Sequence, residues 1–248
     1  MSGKTILITG ASRGIGRAAA IQAGRRGWSV AVNYVGNQAA AREVVDAVNA
    51  AGGAALAVRG DVAVEADVIG MFEAAAQLGP LDGVVVNAGI VAPPQALVDM
   101  SAERLRRMFD VNVLGAYLCA REAARRLVRS RGGRGGSIVL ISSVAASLGS
   151  PGEYVDYAGS KGAVDTLTKG LAKELGAEGV RVNAVRPGLI DTDIHASGLQ
   201  PDRAWRLGVN APLGRPGTPD EVAEAILWLL SDASSYASGT LLDVSGGR

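Results

Sequence analysis

An α/β fold built on a parallel sheet of about seven strands, with helices on both faces, follows from two features of the sequence. Short β-branched runs alternate with longer Ala- and Leu-rich stretches along the whole chain. The short runs carry few alternating polar residues, as strands buried on both faces do. Strand-helix-strand repetition then requires right-handed crossovers and a doubly wound sheet.

In chain order the apolar runs predict strands at Thr5–Thr9, Ser29–Asn33, Ala55–Arg59, Gly83–Asn87, Ser137–Ser142, Arg181–Arg186 and Thr240–Val244. The Ala- and Leu-rich stretches predict helices at Ile15–Arg26, Gln38–Ala51, Glu65–Leu78, Ala102–Arg131, Asp156–Gly176 and Asp220–Ser231. No linker, composition shift or repeat divides the chain, so residues 1–248 are expected to form a single domain. The stretch Gly188–Gly217 is irregular and proline-containing. Loops of that length are uncommon and often functional, and 188–217 is a candidate lid over substrate, with disorder as the alternative.

Composition excludes several function classes. In 248 residues, 25 Lys and Arg stand against 24 Asp and Glu, and a net charge of +1 gives no case for nucleic acid or an anionic membrane. Ten aromatics scattered along the chain make poor base-stacking platforms. A single cysteine, Cys119, rules out an intramolecular disulfide, and with one histidine it rules out zinc sites built from Cys and His. A carboxylate-only Mg²⁺ site stays open, but no metal is expected. The N-terminal apolar run is three residues long and no stretch approaches 18, so neither a signal peptide nor a membrane span is predicted. A cytoplasmic protein is the expectation.

The first strand runs into Thr9-Gly10-Ala11-Ser12-Arg13-Gly14-Ile15-Gly16, which opens the first helix. Glycines let the backbone turn tightly and approach a ligand, and the helix N-terminus offers unpaired N–H groups to a pyrophosphate. A tight strand-to-helix connection with no ligand is the plainer reading. The same residues match G-x-S-x-G, a hydrolase nucleophile elbow that His195 could complete, but that elbow needs earlier strands. Gly3-Lys4-Thr5 resembles the end of a P-loop without the preceding glycine.

Tyr157 and Lys161, at i and i+4, share one helix face. A phenol of pKa about 10 needs roughly 4 kcal/mol to reach about 7, and an ammonium at about 4 Å supplies that order at an effective dielectric of about 20. Ser142 and Ser143 end a strand at its carboxyl edge, where open α/β sheets bind ligands. Taken alone, such a Tyr/Lys pair is most often a solvated face.

Together these motifs resemble the short-chain dehydrogenase/reductases, in the group of 3-oxoacyl-carrier-protein reductases and glucose dehydrogenases. The resemblance covers essentially the whole chain: the glycine turn, Asp61-Val62, Asn87-Ala88-Gly89, Asn112, the serine, Tyr157 with Lys161, and Pro187-Gly188, in the family's order. It implies a Rossmann-like sheet and hydride transfer between a nicotinamide and a carbonyl/secondary alcohol. By the resemblance, Ser143 orients the substrate oxygen and Tyr157 exchanges a proton with it. Lys161 lowers the tyrosine pKa and bonds the nicotinamide ribose, and Asn112 perturbs its helix and holds a relay water. Gly10, Ser12, Arg13, Gly14, Ile15 and Gly16 would bind cofactor, with Asp61 and Val62 at the adenine and Asn87, Ala88 and Gly89 along its border. Pro187, Gly188, Ile190 and Thr192 would lie at the nicotinamide side. A homotetramer is implied by analogy. Ser143 to Tyr157 spans one residue more than the family's usual spacing, which leaves Ser142 and Tyr154 as competitors.

Cofactor choice follows from an absence. NAD-preferring enzymes place an acid at the end of the second strand for the ribose 2′-OH. Here that strand ends Asn33-Tyr34-Val35-Gly36-Asn37 and the first acid is Glu43. Arg13 could pair a 2′-phosphate through two parallel hydrogen bonds, with neutral contacts from Asn33 and Tyr34. NADP(H) is expected, with NAD(H) as the alternative. The rival function is a non-catalytic dinucleotide-binding or regulatory module, and the substrate alternatives are sugar or polyol dehydrogenation and 3-oxoacyl reduction. His195, Trp205, Cys119 and the run Arg121, Arg125, Arg126, Arg129, Arg131 and Arg134 are more simply packing or surface residues. The Arg run could instead attract an acidic carrier protein, although Glu178 counts against it.

Overall fold

The computed structural model describes residues 3–248. Seven parallel strands form one sheet: β1 (Thr5–Ile8), β2 (Ser29–Tyr34), β3 (Ala54–Arg59), β4 (Gly83–Val86), β5 (Gly136–Ile141), β6 (Val180–Pro187) and β7 (Leu241–Val244). Their order is β3-β2-β1-β4-β5-β6-β7. The helices are α1 (Gly14–Arg25), α2 (Gln38–Ala50), α3 (Glu65–Ala75), α4 (Ala102–Phe109), α5 (Gly115–Leu127), α6 (Ala145–Leu148), α7 (Val155–Leu175), α8 (Ile194–Ser197), α9 (Arg203–Gly208) and α10 (Pro219–Leu230).

Alternation along each strand builds two cores. Leu7, Val84 and Ile138 point to the face covered by α3, α5 and α7, while Ile6, Ile8, Val85 and Val139 point to α1, α2 and α10. Both faces are therefore apolar, which is why the strands read as continuous hydrophobic runs. Helix starts follow local chemistry. Asn37 caps α2 by accepting from the Ala40 N–H at 3.0 Å, and Thr218 and Glu221 form a reciprocal capping box on α10 with Pro219 at its first position.

Two sequence expectations need correction. The predicted helix Ala102–Arg131 is broken: α4 passes into a π-helical turn, Asp110–Leu114, then α5, and the chain extends at Val128 before a 3₁₀ turn at Arg129–Arg131. The cause is Asn112, a polar residue that turns inward, where it is 1% exposed. Its amide takes both backbone groups of Ile90, accepting from the N–H at 2.8 Å and donating to the carbonyl at 3.0 Å. Widening the turn at this point brings the side chain to that partner, as π-bulges do at functional sites. The stretch 188–217 is not structureless either, because it contains α8 and α9. Elsewhere the predicted elements differ from the observed ones by a few residues at their ends.

Phe72 on α3 is fully buried, whereas Val98 is 91% exposed. Phe72→Ala is expected to cost about 3–5 kcal/mol, and Val98→Ala to stay within about 0.5 kcal/mol. Urea unfolding midpoints with unchanged slopes check both.

Candidate active site

The carboxyl ends of β1 to β6 open into a cleft of about 1130 Å³. It lies where the strand order reverses around β1 and β4, the crevice in which open α/β sheets hold ligands.

The floor is held by side chains that complete the backbone hydrogen bonding past the strand ends. Thr9 Oγ1 accepts from the N–H groups of Asn87 and Ala88, each at 2.9 Å. Asn87 Nδ2 donates to the carbonyls of Thr9 (2.8 Å) and Gly10 (3.1 Å). Asn33 accepts from the Gly10 N–H at 2.9 Å and donates to the Gly60 carbonyl at 2.9 Å. The turn so pinned needs its glycines. Gly10 has φ +62°, and a Cβ there would meet Ala88 Cα at 3.0 Å; at Gly16 a Cβ would sit 2.7 Å from Asn87 Nδ2. Helix α1 then starts with no side-chain cap and no acid in its first turn. Gly10, Ser12, Arg13, Gly14 and Ile15 line the cleft at this point, an uncapped helix N-terminus that fits a pyrophosphate.

Of the other expected cofactor residues, Tyr34, Asp61, Val62, Asn87, Ala88, Gly89, Pro187, Gly188, Ile190 and Thr192 line the cleft. Two expectations are corrected. Asn33 is 1% exposed, with its amide spent on the glycine turn and on the chain after β3, so it is a brace and not a ligand contact. Gly16 packs behind the turn against Asn87. Asn112 is buried, with its side-chain amide bonded to Ile90 and to the Ser160 hydroxyl. Sequence reasoning missed Arg17 and Asn37, which line the same end as Arg13. Arg17 was findable, since it stands one helical turn beyond Arg13.

Ser143, Tyr157 and Lys161 come together in the cleft. Ser142 is buried and donates to the Lys161 carbonyl at 3.2 Å, whereas the Ser143 hydroxyl accepts from the Ala145 N–H at 3.1 Å and lines the cleft with Tyr157. The extra residue of spacing is absorbed in a loop with Gly149, Ser150 and Gly152 at positive φ. Tyr154 is the weaker competitor. Its hydroxyl accepts from Gln200 Nε2 at 3.0 Å and Arg203 lies 4.8 Å over its ring.

Electrostatics differ from the expectation that Lys161 brings the phenol down. Burial pushes Tyr157 up to about 12, against a smaller lowering by its bond to Ser143. Burial also pushes Lys161 down to about 8, partly opposed by Asp165. Lys161 Nζ donates to the Ile141 carbonyl at 2.7 Å and stands 5.6 Å from the Tyr157 ring centroid. Even at the roughly 4 Å of a close pair a full charge supplies about 4 kcal/mol at an effective dielectric of about 20, against roughly 7 needed to bring a phenol from 12 to 7. Desolvation wins, and the phenol is protonated at neutral pH.

The remaining candidates have local roles. His195 lines the cleft with Nε2 3.0 Å from the Ile190 carbonyl, and burial holds its pKa below the usual value. Trp205 is exposed and donates to Asp191 at 3.1 Å. Burial pushes the Cys119 thiol up to about 12, which leaves it unreactive. Arg121 pairs with Glu65, and Arg125 and Arg126 with Glu122. Among the described residues no cluster of His, Cys, Asp or Glu could hold a metal, and no helix is long and apolar enough to cross a membrane.

Asn33→Ala leaves the Gly10 N–H and the Gly60 carbonyl without partners, each costing about 1–3 kcal/mol. A fall of at least about 4 °C in melting temperature, measured by calorimetry, is expected.

Comparison with known proteins bears on what this cleft is. The profile of the family described as Enoyl-(Acyl carrier protein) reductase matches residues 10–248. The chain is 51% identical over 243 residues to the uncharacterized oxidoreductase YgfF of Escherichia coli, covering 98% of each. It is 41% identical to an L-rhamnose 1-dehydrogenase (NAD(P)(+)) of a Sphingomonas species, covering 100% of this chain and 96% of that one. Its fold superposes on the crystal structure of a 3-ketoacyl-(acyl-carrier-protein) reductase from Brucella melitensis complexed with NADH, with a TM-score of 0.91, 34% identity, and 100% and 98% of the two chains covered. With its glycine turn, its Ser/Tyr/Lys set and its sheet order all in place along that length, the chain belongs to the short-chain dehydrogenase/reductases, oxidoreductases of the CH–OH/C=O class.

Proposed function

We propose that the protein is an NADP(H)-dependent oxidoreductase interconverting a carbonyl and a secondary alcohol, with Tyr157 as the general acid/base. The observation that carries this is the convergence of Ser143, Tyr157 and Lys161 on one cleft, with Lys161 Nζ 5.6 Å from the centre of the Tyr157 ring. A bound nicotinamide dinucleotide supplies the hydride or accepts it. Gly10 to Ile15 would hold its pyrophosphate at the α1 N-terminus, and Lys161, with ammonium protons beyond the one given to Ile141, would hold a ribose hydroxyl. Ser143 donates to the substrate oxygen and fixes its position. Tyr157 gives its proton to that oxygen during reduction and takes it back during oxidation. A non-catalytic binding module has no use for a desolvated phenol paired with a serine, and the segment 188–217 acts as the lid that excludes water from it.

NADP(H) is favoured over NAD(H) because Arg13, Arg17 and Asn37 line the cleft beside the end of β2, where no carboxylate stands to repel a 2′-phosphate. The family's usual homotetramer is retained, supported by exposed Phe109, Leu114 and Tyr117 on the α4–α5 segment.

A cofactor-coupled panel of ketones, 3-oxoacyl thioesters, sugars and polyols, run in both directions, tests the activity and separates the sugar or polyol reading from the 3-oxoacyl one. Tyr157→Phe is expected to lower kcat at least about a hundredfold while cofactor affinity changes little. Reduction uses the neutral phenol, which is fully present across neutral pH. Oxidation uses the phenolate, whose fraction rises tenfold per unit below the phenol pKa. The oxidation rate should therefore climb with pH into the alkaline range while the reduction rate is flat and then falls; parallel profiles would overturn the assignment.

Arg13→Ala should raise the NADP(H) KM at least about tenfold, the loss of a charged hydrogen-bond pair, and leave NAD(H) nearly unchanged. Values of kcat/KM with both cofactors decide this, and a wild-type preference for NAD(H) would sink it.

A further inference from the structure

We propose that Arg104 is a positioning residue for Tyr157, acting through a buried ion pair with Asp156 that fixes the uncapped first turn of α7. The proposal rests on the reading of Tyr157 as the acid/base.

Helix α7 is poorly equipped to start where it does. Tyr154 stands at the N-cap with no side-chain cap hydrogen bond, after a loop in which even the non-glycine Ser150 has φ +45°. A helix start of this kind frays unless other groups hold it. Asp156 supplies the hold from inside the first turn. It is 4% exposed, and its Oδ1 accepts from the N–H of Tyr157 itself at 2.9 Å. The carboxylate is gripped in turn by Arg104 of α4, with Nε donating to Oδ2 at 2.8 Å and Nη2 to Oδ1 at 3.3 Å. Arg104 is itself immobilised, because Nη1 donates to the Pro93 carbonyl at 2.6 Å and to Gln95 Oε1 at 3.1 Å. The Gln95 N–H then donates to the Glu153 carbonyl at 3.0 Å. The backbone of residues 153–157 is therefore tied to the chain after β4 at both ends.

Arg104 lines a smaller pocket that adjoins the cleft at Ile90 and Arg107 and not the cleft itself, and its hydrogen bonds reach Tyr157 through Asp156. Stability is a poor reason for the pair. Burying two charges costs about what their attraction returns, and apolar residues of similar size do as well. An apolar pair cannot hold the Tyr157 N–H or fix the orientation of its turn, and a 1 Å misplacement of a reacting group costs on the order of a hundredfold in rate.

The test uses the best substrate of the carbonyl panel with Asp156→Asn, the apolar double variant Arg104→Met/Asp156→Leu, and Tyr157→Phe. In each, kcat, cofactor Kd, melting temperature and the primary deuterium isotope effect on kcat are measured. In folded Asp156→Asn and in the double variant, kcat should fall at least tenfold, cofactor Kd should stay within threefold, and the isotope effect should rise as hydride transfer becomes slower. Arg104→Lys, which keeps the charge without the fork, should recover part of the loss. A kcat within threefold of wild type in either folded variant overturns the proposal, as does an equal loss of kcat and cofactor binding. If the double variant does not fold, Asp156→Asn decides by the same criteria. Loss of activity in Tyr157→Phe with retention in Asp156→Asn overturns the positioning role alone. Retained activity in Tyr157→Phe overturns the acid/base reading and this proposal with it.

Discussion

A parallel strand that stops leaves amide and carbonyl groups without ladder partners, and burying each one unpaired costs about 1–3 kcal/mol. At the carboxyl edge of this sheet Thr9, Asn33 and Asn87 take up those groups for β1, for the glycine turn and for the chain after β3 and β4. The cleft depends on that arrangement. Because the polar groups are satisfied from below, the backbone of Gly10 to Ile15 is held without any side chain on the ligand side. The α1 N-terminus keeps its donors uncapped for the same reason.

The second constraint is the water-poor setting of Tyr157 and Lys161. Desolvation moves the two groups apart on the pH scale, the phenol up to about 12 and the ammonium down to about 8, because each charged form loses hydration. At neutral pH both keep their protons. The pair is thus a neutral phenol beside a cation, the arrangement that the proposed acid/base role of Tyr157 requires.

The sheet was legible in the sequence because burial on both faces writes itself as uninterrupted β-branched runs. The glycine turn and the Tyr157/Lys161 face were legible because their chemistry depends on spacing within one segment. What stayed hidden depends on contacts between segments. Asn33 reads as a strand-end polar residue, and only the approach of Gly60 and Gly10 shows that its amide faces inward. The break at Asn112 is invisible to helical periodicity and was implied only by the family resemblance, because the partner of its amide is the backbone of Ile90, twenty-two positions away. Arg104 and Asp156 lie fifty-two positions apart and gave no local signal at all. The lowered tyrosine pKa failed for a different reason. The Coulomb effect was right in sign, but burial is the larger effect.

The stretch 188–217 shows why composition misread as irregular a segment that is ordered. Its base is closed by backbone hydrogen bonds of a short parallel bridge, with Asp191 N–H donating to the Gly217 carbonyl and Gly217 N–H to the Leu189 carbonyl, each at 2.9 Å. Closing a loop of this length costs only a few RT, since the entropy grows with the logarithm of length. Two short helices between those ends fold too few residues to be stable alone. They are held instead by Arg203, which reaches Glu153 at 2.6 Å and stacks on Tyr154. Glu153 and Tyr154 immediately precede the first turn of α7. This segment, part of which lines the cleft, and the helix that carries Tyr157 are therefore joined by an ion pair and a cation–aromatic contact, so a displacement of either one is felt by the other.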